Sequence, residues 1–165
     1  MFAWRRWSLG AAALPLAALL VAGCGGGGGT TGSSTGSTAA AAVQVSTKKL
    51  PKLGTVLVNS QGHTLYMFAP DKHTKVTCTG SCASVWPPLK LPSGAKATAS
   101  GEAKSSLLGS DPDPDGGQVV TYAGWPLYTY VTDTSAGVAQ GQALNLNGGL
   151  WYVLSPSGKV IKTQP

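Results

Sequence analysis

An internal duplication constrains the fold of this chain more than any other feature. The segment Gly62–Asp71 aligns without a gap with Gly124–Asp133, at an offset of 62 residues. The two segments share Gly, Leu, Tyr and Asp at matching positions, and Phe68 lies opposite Tyr130. A period of this length exceeds that of ordinary solenoid repeats, so the sequence predicts one pseudo-twofold domain rather than an array of repeats.

Each copy carries a Tyr-x-aromatic-x-x-Asp motif and, further on, a tryptophan. These candidate site residues are Tyr66, Phe68, Asp71 and Trp86 in the first copy, and Tyr128, Tyr130, Asp133 and Trp151 in the second. In a strand, Tyr66 and Phe68 point to one face and Leu65 and Met67 to the other, so both faces are apolar and we expect both to be covered. Asp71 follows in a turn, where its carboxylate can accept backbone N–H bonds. Core packing with a turn cap is the main interpretation, and a ligand site made of Tyr/Asp pairs about the pseudo-axis is the alternative.

The alternation of apolar and turn residues predicts three β-hairpins. Their strand pairs are Thr55–Val58 with Thr64–Phe68, Gln118–Tyr122 with Pro126–Val131, and Leu150–Leu154 with Lys159–Lys162. Short helices are predicted at Ser81–Trp86 and Glu102–Leu108, and an irregular stretch at Pro92–Gly117. We therefore expect an all-β domain, a small pseudo-twofold sandwich or partly closed barrel. It would contain two duplicated hairpin units, at about 54–91 and 117–162, a C-terminal hairpin, and one or two short helices.

The N-terminal segment has the pattern of an export signal. Met1–Trp7 carries two arginines and no acid, and Leu9–Ala22 is an apolar run of 14 residues. Such a run is too short to span a bilayer, which needs about 20 residues, and is typical of a signal-peptide core. The predicted organisation is a signal peptide at 1–23, Cys24 with a Gly/Ser/Thr/Ala-rich flexible tether at 24–42, and a single domain at 43–165.

Small residues immediately precede Cys24, and this pattern resembles the lipobox of bacterial lipoproteins. The resemblance implies cleavage before Cys24 and attachment of acyl chains to it, and two or more chains anchor a protein stably. The implied partner is membrane lipid, and the implied location is the cell membrane, facing outside the cytoplasm. The alternative is an ordinary secretory signal in which Cys24 is incidental.

The remaining cysteines, Cys78 and Cys82, form an even pair. Thiols outside the cytoplasm tend to oxidise, so a Cys78–Cys82 disulfide acting as a local cross-link is the main expectation. Two alternatives remain open: a reducible, redox-active bridge, or a soft-metal site of the copper type with His63, His73 or Met67. His63 aligns with Trp125 and His73 with Ser135, so the duplication offers no matching metal ligands, and we predict no metal site and no cofactor.

Other chemical classes find little support. Asp111–Gly116 opens like a calcium loop, but Tyr122 stands where its final Glu belongs, and a solvated turn is the simpler interpretation. The formal charge is +6, yet the lysines are scattered, so no nucleic-acid partner is predicted. There is no nucleophile elbow, zinc-protease motif or phosphate loop, and Glu102 is the only glutamate. We therefore predict that the chain has no catalytic residues and is not an enzyme.

The two motif copies, with Cys78–Cys82 and Trp86–Leu89 after the first and Gly148–Gly158 after the second, resemble a known family. It consists of predicted bacterial lipoproteins called the secreted repeat of unknown function, and the resemblance covers most of Thr55–Val160. It implies export and a duplicated architecture, and it supplies no mechanism.

Three functions follow as hypotheses. The first is a lipid-anchored, non-catalytic binding or structural module at the cell envelope, with an unknown envelope ligand or protein partner. The second is a redox or metal-handling protein that uses Cys78 and Cys82. The third is a glycan or cell-wall binder that stacks sugars on Trp86, Trp125 and Trp151.

Overall fold

The computed structural model describes residues 42–73 and 75–164. All of them belong to one compact unit, Ser37–Pro165. The predicted signal peptide, Cys24 and the tether up to residue 41 lie outside the described residues. Within the described part of the chain, no helix is long and apolar enough to cross a membrane.

Short strands make up most of the regular structure. In chain order they are β1 (Val43–Leu50), β2 (Gly54–Asn59), β3 (Tyr66–Phe68), β4 (Lys90–Leu91), β5 (Ala97–Ala99), β6 (Leu108–Pro112), β7 (Gln118–Tyr122), β8 (Trp125–Pro126), β9 (Asn145–Leu146) and β10 (Gly149–Val153). One short α-helix, α1, spans Ser81–Val85, and single 3-10 turns lie at Ala69–Asp71 and Ser105–Leu107.

The strands form three small sheets. Their orders are β2–β1–β5, β3–β10–β9 and β4–β7–β6, and β8 also pairs with β7. Among the described strands, none of these sheets closes on itself, so the all-β prediction is confirmed and the structure matches a sandwich rather than a barrel.

Each half of the domain begins with an antiparallel hairpin that the sequence analysis did not predict. In the first half β1 pairs with β2, from Val45 opposite Asn59 to Leu50 opposite Gly54. In the second half β6 pairs with β7, from Leu108 opposite Tyr122 to Pro112 opposite Gln118. The predicted irregular stretch Pro92–Gly117 was therefore wrong, because it contains both β5 and β6. The Gly and Pro of β6 have low strand propensity, and Pro112 is tolerated at the end of this strand, where it need not donate to the ladder.

The predicted hairpins are only partly present. In the first predicted hairpin the chain does reverse direction, and a single bridge joins Val58 to Thr64. The strand β3 that follows pairs with β10 instead of β2. Similarly, the predicted C-terminal hairpin reduces to one bridge between Leu154 and Val160. The predicted helix at Ser81–Trp86 is confirmed as α1, whereas the segment Glu102–Leu108 contains only a 3-10 turn.

The core consists of two apolar clusters on opposite faces of the same strands. Tyr66 and Phe68 of β3 belong to the first cluster, whereas Leu65 and Met67 belong to the second. All four side chains are buried, which confirms that this strand is covered on both faces. The alternation of side chains along a strand thus carries the motif aromatics into a single cluster.

Candidate functional site

The two motif tyrosines meet at the centre of the domain. The Tyr66 amide donates to the Tyr128 carbonyl at 2.8 Å, and the Tyr128 amide donates to the Tyr66 carbonyl at 2.9 Å. This reciprocal pair is an antiparallel bridge between equivalent positions of the two repeats. It marks the pseudo-twofold axis of the domain.

The tyrosine and aspartate side chains also pair across this axis. The Tyr66 hydroxyl donates to Asp133 Oδ2 at 2.5 Å, and the Tyr128 hydroxyl donates to Asp71 Oδ2 at 2.8 Å. Each tyrosine therefore binds the aspartate of the other repeat. We call these two interactions the cross-repeat pairs. All four residues are buried, so each hydroxyl and each carboxylate supplies the partner that the other needs away from water.

Each carboxylate also fixes a loop of its own repeat. Asp71 Oδ1 accepts bonds from the Thr77 amide and hydroxyl, and Asp133 Oδ1 accepts the Gln140 amide at 2.9 Å. The next amide in the second loop, that of Gly141, donates to the Tyr66 hydroxyl at 3.2 Å. Thus the predicted turn cap at Asp71 is confirmed, and its carboxylate joins a loop of one repeat to a tyrosine of the other.

Burial dominates the electrostatics of these pairs. It raises the pKa of Tyr66 and of Tyr128 far above the usual range for a phenol, and the neighbouring carboxylates raise both further. Burial also raises the pKa of Asp71 and Asp133, although the hydrogen bonds that these carboxylates accept act in the opposite direction. The arrangement holds neutral phenols in place and buries both carboxylates.

Four aromatic rings extend this symmetry into a continuous stack. In order they are Phe68, Trp151, Trp86 and Tyr130, with centroid separations of 4.1, 3.9 and 4.1 Å. The rings come alternately from the first and the second repeat. Each tryptophan also receives a tyrosine edge from its own repeat, Tyr66 against Trp86 and Tyr128 against Trp151. The ring stack belongs to the first core cluster, and the two tyrosine edges approach it with the edge-to-face geometry that aromatic pairs prefer.

The burial of the tryptophans excludes the hypothesis that sugars stack on Trp86, Trp125 and Trp151. Trp86 and Trp151 have no exposed surface, and Trp125 is 8% exposed. A sugar cannot stack on a ring that is already covered on both faces by other rings, as those of Trp86 and Trp151 are. The prediction that these side chains form stacking surfaces was wrong, because their apolar area is used to join the repeats.

The Cys78–Cys82 disulfide is present, with Cα atoms 5.2 Å apart. Cys82 lies in α1, and Cys78 is buried in the first core cluster. Cys82 is half-buried and packs against that cluster. The bridge therefore fixes the loop that carries Asp71 and the helix that precedes Trp86.

The two histidines lie at separate places on the domain. His63 Nδ1 is 2.9 Å from the Asp133 carbonyl oxygen, and His73 Nδ1 is 3.1 Å from that of Ala123. Within residues 42–73 and 75–164, no three His, Cys, Asp or Glu side chains come together in a way that could hold a metal ion. The sulfur atoms of Cys78 and Cys82 are bonded to each other, so in the oxidised protein they are not the free thiolates that the copper hypothesis requires.

The calcium-like loop is a turn closed by a lysine. Lys90 Nζ forms an ion pair with Asp113, whose side chain is 1% exposed, and donates to the Gly116 carbonyl at 3.0 Å. Asp115 accepts the Gly80 amide at 2.9 Å. The Lys90 ammonium group is thus paired with the Asp113 carboxylate, which a calcium ion would need as a ligand. This agrees with the interpretation of the segment as a turn.

A polar cavity beside the Tyr66–Asp133 pair was not anticipated from the sequence. Its volume is about 310 Å³. The residues that line it come from the first hairpin turn and from the segment after Tyr128: Asn59, Gln61, His63, Thr129, Tyr130, Val131, Asp133 and Thr134. We call it the rim cavity. No sequence signal marks it, because its two walls are distant in the chain and belong to different repeats.

Comparison with known proteins agrees with the duplication. The model of a family described as a secreted repeat of unknown function matches the chain twice, at residues 47–90 and 110–155, which together exceed half of its length. The two matches begin in β1 and β6, the strands that open each half of the domain. No curated protein and no solved structure showed a significant match to the chain.

Proposed function

The chain belongs to the family of secreted repeats of unknown function, and from this premise we propose that it is a lipid-anchored module outside the cytoplasm. In this proposal it binds or supports a partner at the cell envelope and catalyses no reaction. Cys24 carries the lipid, and the domain at 43–165 is held away from the membrane surface by the tether. A flexible tether of 18 residues would span roughly 24 Å.

One observation carries the non-catalytic part of the proposal. The motif residues Tyr66, Tyr128, Asp71 and Asp133 are buried, and these tyrosines and aspartates bind one another across the pseudo-axis. A catalytic acid or base must reach a substrate proton within hydrogen-bond distance. Tyr66, Tyr128, Asp71 and Asp133 are directed inward instead, so the motif is better suited to assembling the fold than to turnover.

Anchoring can be tested with the exported protein in a bacterial host that is fed an alkyne-bearing fatty acid. The unchanged chain is expected to carry the label and to sediment with membranes. Cys24→Ser should lose both properties. The paired variant Cys78→Ser/Cys82→Ser is the matched control, since it also removes thiols but should retain label and sedimentation. Soluble, unlabelled protein from the unchanged chain would overturn the anchoring proposal.

The absence of catalysis is tested by incubating the protein with peptidoglycan, phospholipid and glycan substrates. No turnover above the blank is expected. Turnover that disappears in Asp71→Asn or Asp133→Asn, at a temperature where the variant retains the near-ultraviolet circular dichroism of the parent, would assign the carboxylates a chemical role. That result would refute the proposal without affecting the anchoring test.

The disulfide acts as a structural cross-link in this proposal. Opening so short a loop should cost about 2 kcal/mol of unfolding free energy in the chain-entropy model. We therefore expect Cys78→Ser/Cys82→Ser to unfold at lower denaturant concentration and to keep its cellular role at low temperature. A variant of normal stability that loses this role would favour the redox alternative, and stoichiometric copper bound by the reduced protein would favour metal handling.

A further inference from the structure

The pseudo-twofold symmetry allows the rim cavity to be compared with its counterpart in the other half of the domain. The cavity lies against the hairpin turn of the first repeat, which contains Gly62 and His63. The counterpart lies against the turn of the second repeat, which contains Gly124 and Trp125. The two turns thus present a ring at the same position, an imidazole in one and an indole in the other.

In the second repeat's turn, the protein covers this ring with one of its own. The His73 imidazole packs on Trp125 with centroids 3.7 Å apart. Both Lys72 and His73 have positive φ angles, 49° and 62°. This backbone conformation is uncommon for residues other than glycine. The uncommon backbone conformation therefore occurs at the residues that place the His73 ring over the turn of the second repeat.

In the first repeat's turn, no ring from residues 42–73 or 75–164 takes the equivalent place. Thr134 and Ser135 stand where the first repeat has Lys72 and His73, and neither has a positive φ angle. Ala136 instead approaches the turn glycine, with its Cβ 3.0 Å from the position that a Cβ on Gly62 would occupy. Thr134 lines the rim cavity, whose volume of about 310 Å³ is at the lower end of the size range of ligand pockets.

The hydrogen bonds around the cavity define its chemistry. A carbonyl oxygen can only accept, so His63 Nδ1 must donate its proton to the Asp133 carbonyl. In the neutral ring Nε2 is then an acceptor. Asn59 Oδ1 already accepts the amides of Gln61 and His63, both at 3.0 Å. An incoming group that bonds to His63 must therefore bring a donor.

We propose that the rim cavity binds a small molecule with a planar ring and an N–H or O–H donor on its edge. Its donor bonds to His63 Nε2 in the plane of the imidazole, so the ring of the ligand meets the edge of His63 rather than stacking on its face. Val131, which is 52% exposed at the cavity, supplies apolar contact. The ligand class specifies what the proposed envelope-binding module binds, so the inference rests on that proposed function.

Indole is a suitable probe, and 1-methylindole is its matched control because it has the same ring without the donor. We expect indole, added to the isotope-labelled exported protein, to shift the amide resonances of Asn59, His63 and Val131 with a Kd on the order of 1 mM, a typical strength for so small a ligand. We expect 1-methylindole to bind at least about fivefold more weakly, because Nε2 would be left without its donor.

Two variants locate the site. His63→Ala should weaken indole binding by about tenfold or more, whereas His73→Ala, the matched histidine on the opposite turn, should leave it unchanged. If His63→Ala fails to fold, Thr134→Trp serves instead, because it fills the cavity from an exposed position and keeps the His63–Asp133 bond. Shifts that survive these changes, equal binding of both probes, or no binding at 10-fold the expected Kd would each overturn the inference. The membrane-labelling result would stand in every case, so the two failures are distinguishable.

Discussion

At the scale of single residues, Tyr66 and Tyr128 each hold a buried carboxylate that comes from the other repeat. Replacing either by Phe removes the hydroxyl and leaves the ring in place. Each substitution is expected to lower the free energy of unfolding by about 2 kcal/mol, because a hydrogen bond to a charged group is lost inside the core. Urea unfolding followed by tryptophan fluorescence measures the loss.

Tyr152→Phe is the matched control, since this tyrosine is only half-buried and belongs to neither cross-repeat pair. A double-mutant cycle identifies the partner. Tyr66→Phe and Asp133→Asn should be coupled by at least about 0.5 kcal/mol, while Tyr66→Phe and Asp71→Asn should be nearly additive. Equal coupling in both cycles would contradict the cross-repeat assignment.

The same phenols predict that the domain loses stability in alkali. In the unfolded chain they ionise near their ordinary pKa of 10.0, whereas burial raises the pKa of both far above that value in the folded domain. Their contribution is therefore complete below pH 10 and falls as the pH rises further, by up to about 2.7 kcal/mol per pH unit for two protons.

Urea midpoints measured between pH 9 and 11.5 check this alkaline loss. Tyr66→Phe should reduce the slope of unfolding free energy against pH by about half, because only one such phenol remains. If the slope does not change in Tyr66→Phe, the pKa shift has been assigned to the wrong residue.

The role of Asp71 as a turn cap could be predicted from its neighbours in the chain, because it follows a proline in a turn. Its tyrosine partner could not, because the two residues are 57 positions apart. Likewise, the position of Asp133 gives no indication that its carboxylate meets Tyr66, 67 residues away. Short-range turn chemistry is encoded locally, whereas the partner of a buried polar group depends on which segments the fold brings together.

At the scale of elements, the loop before β9 depends on a glycine. A Cβ on Gly141 would lie 2.7 Å from Trp86 Cη2 and 2.9 Å from Tyr66 Cε1, with no flexible chain end to move aside. We expect Gly141→Ala to lower the free energy of unfolding by about 2 kcal/mol or more, because it forces the ring stack and the cross-repeat pair apart. Thermal or urea unfolding reports the loss.

Gly109→Ala is the control for this effect. Gly109 is exposed on β6, and its added Cβ would meet only the Thr121 hydroxyl oxygen, at 2.8 Å, which can rotate away. The expected change is below about 1 kcal/mol. Comparable losses in both variants would mean that a general strand effect, rather than the ring contact, explains the result at Gly141.

An element can be predicted from the sequence when its side chains follow a clear pattern or when a residue such as proline marks its end. The faces of β3 and the position of α1 could be predicted, since the first alternates between two buried clusters and the second ends before a proline pair. The strands β5 and β6 could not, because short segments with Ala, Gly and Pro carry little strand propensity. These strands exist because β1 and β7 supply partners for their backbone groups.

At the scale of the whole molecule, the two repeats share one core rather than forming two. The ring stack alternates between repeats, and each cross-repeat pair contains one residue from each. We therefore expect a single cooperative unfolding transition. Asp71→Asn and Asp133→Asn, one in each repeat, should both shift the entire transition to lower temperature.

Calorimetry checks this cooperativity, because the measured enthalpy of unfolding should equal the van't Hoff enthalpy in the parent and in both variants. Tryptophan fluorescence and far-ultraviolet circular dichroism should give coincident curves. Two separable transitions, with each variant affecting only one of them, would show that the repeats fold independently and would contradict a shared core.

The sequence by itself determined that the domain is duplicated, that it is built from strands, and that the first motif strand is covered on both faces. These properties follow from the spacing and polarity of nearby residues. Only the tertiary structure decided whether each motif tyrosine bonds to the aspartate of its own repeat or to that of the other repeat. In a duplicated chain, pairing within a repeat and pairing across repeats use the same residue types, so composition and spacing cannot separate them. The choice depends on where the strands place each hydroxyl relative to each carboxylate. In this fold Tyr66 and Tyr128 meet at the pseudo-axis, where each hydroxyl bonds to the aspartate of the other half.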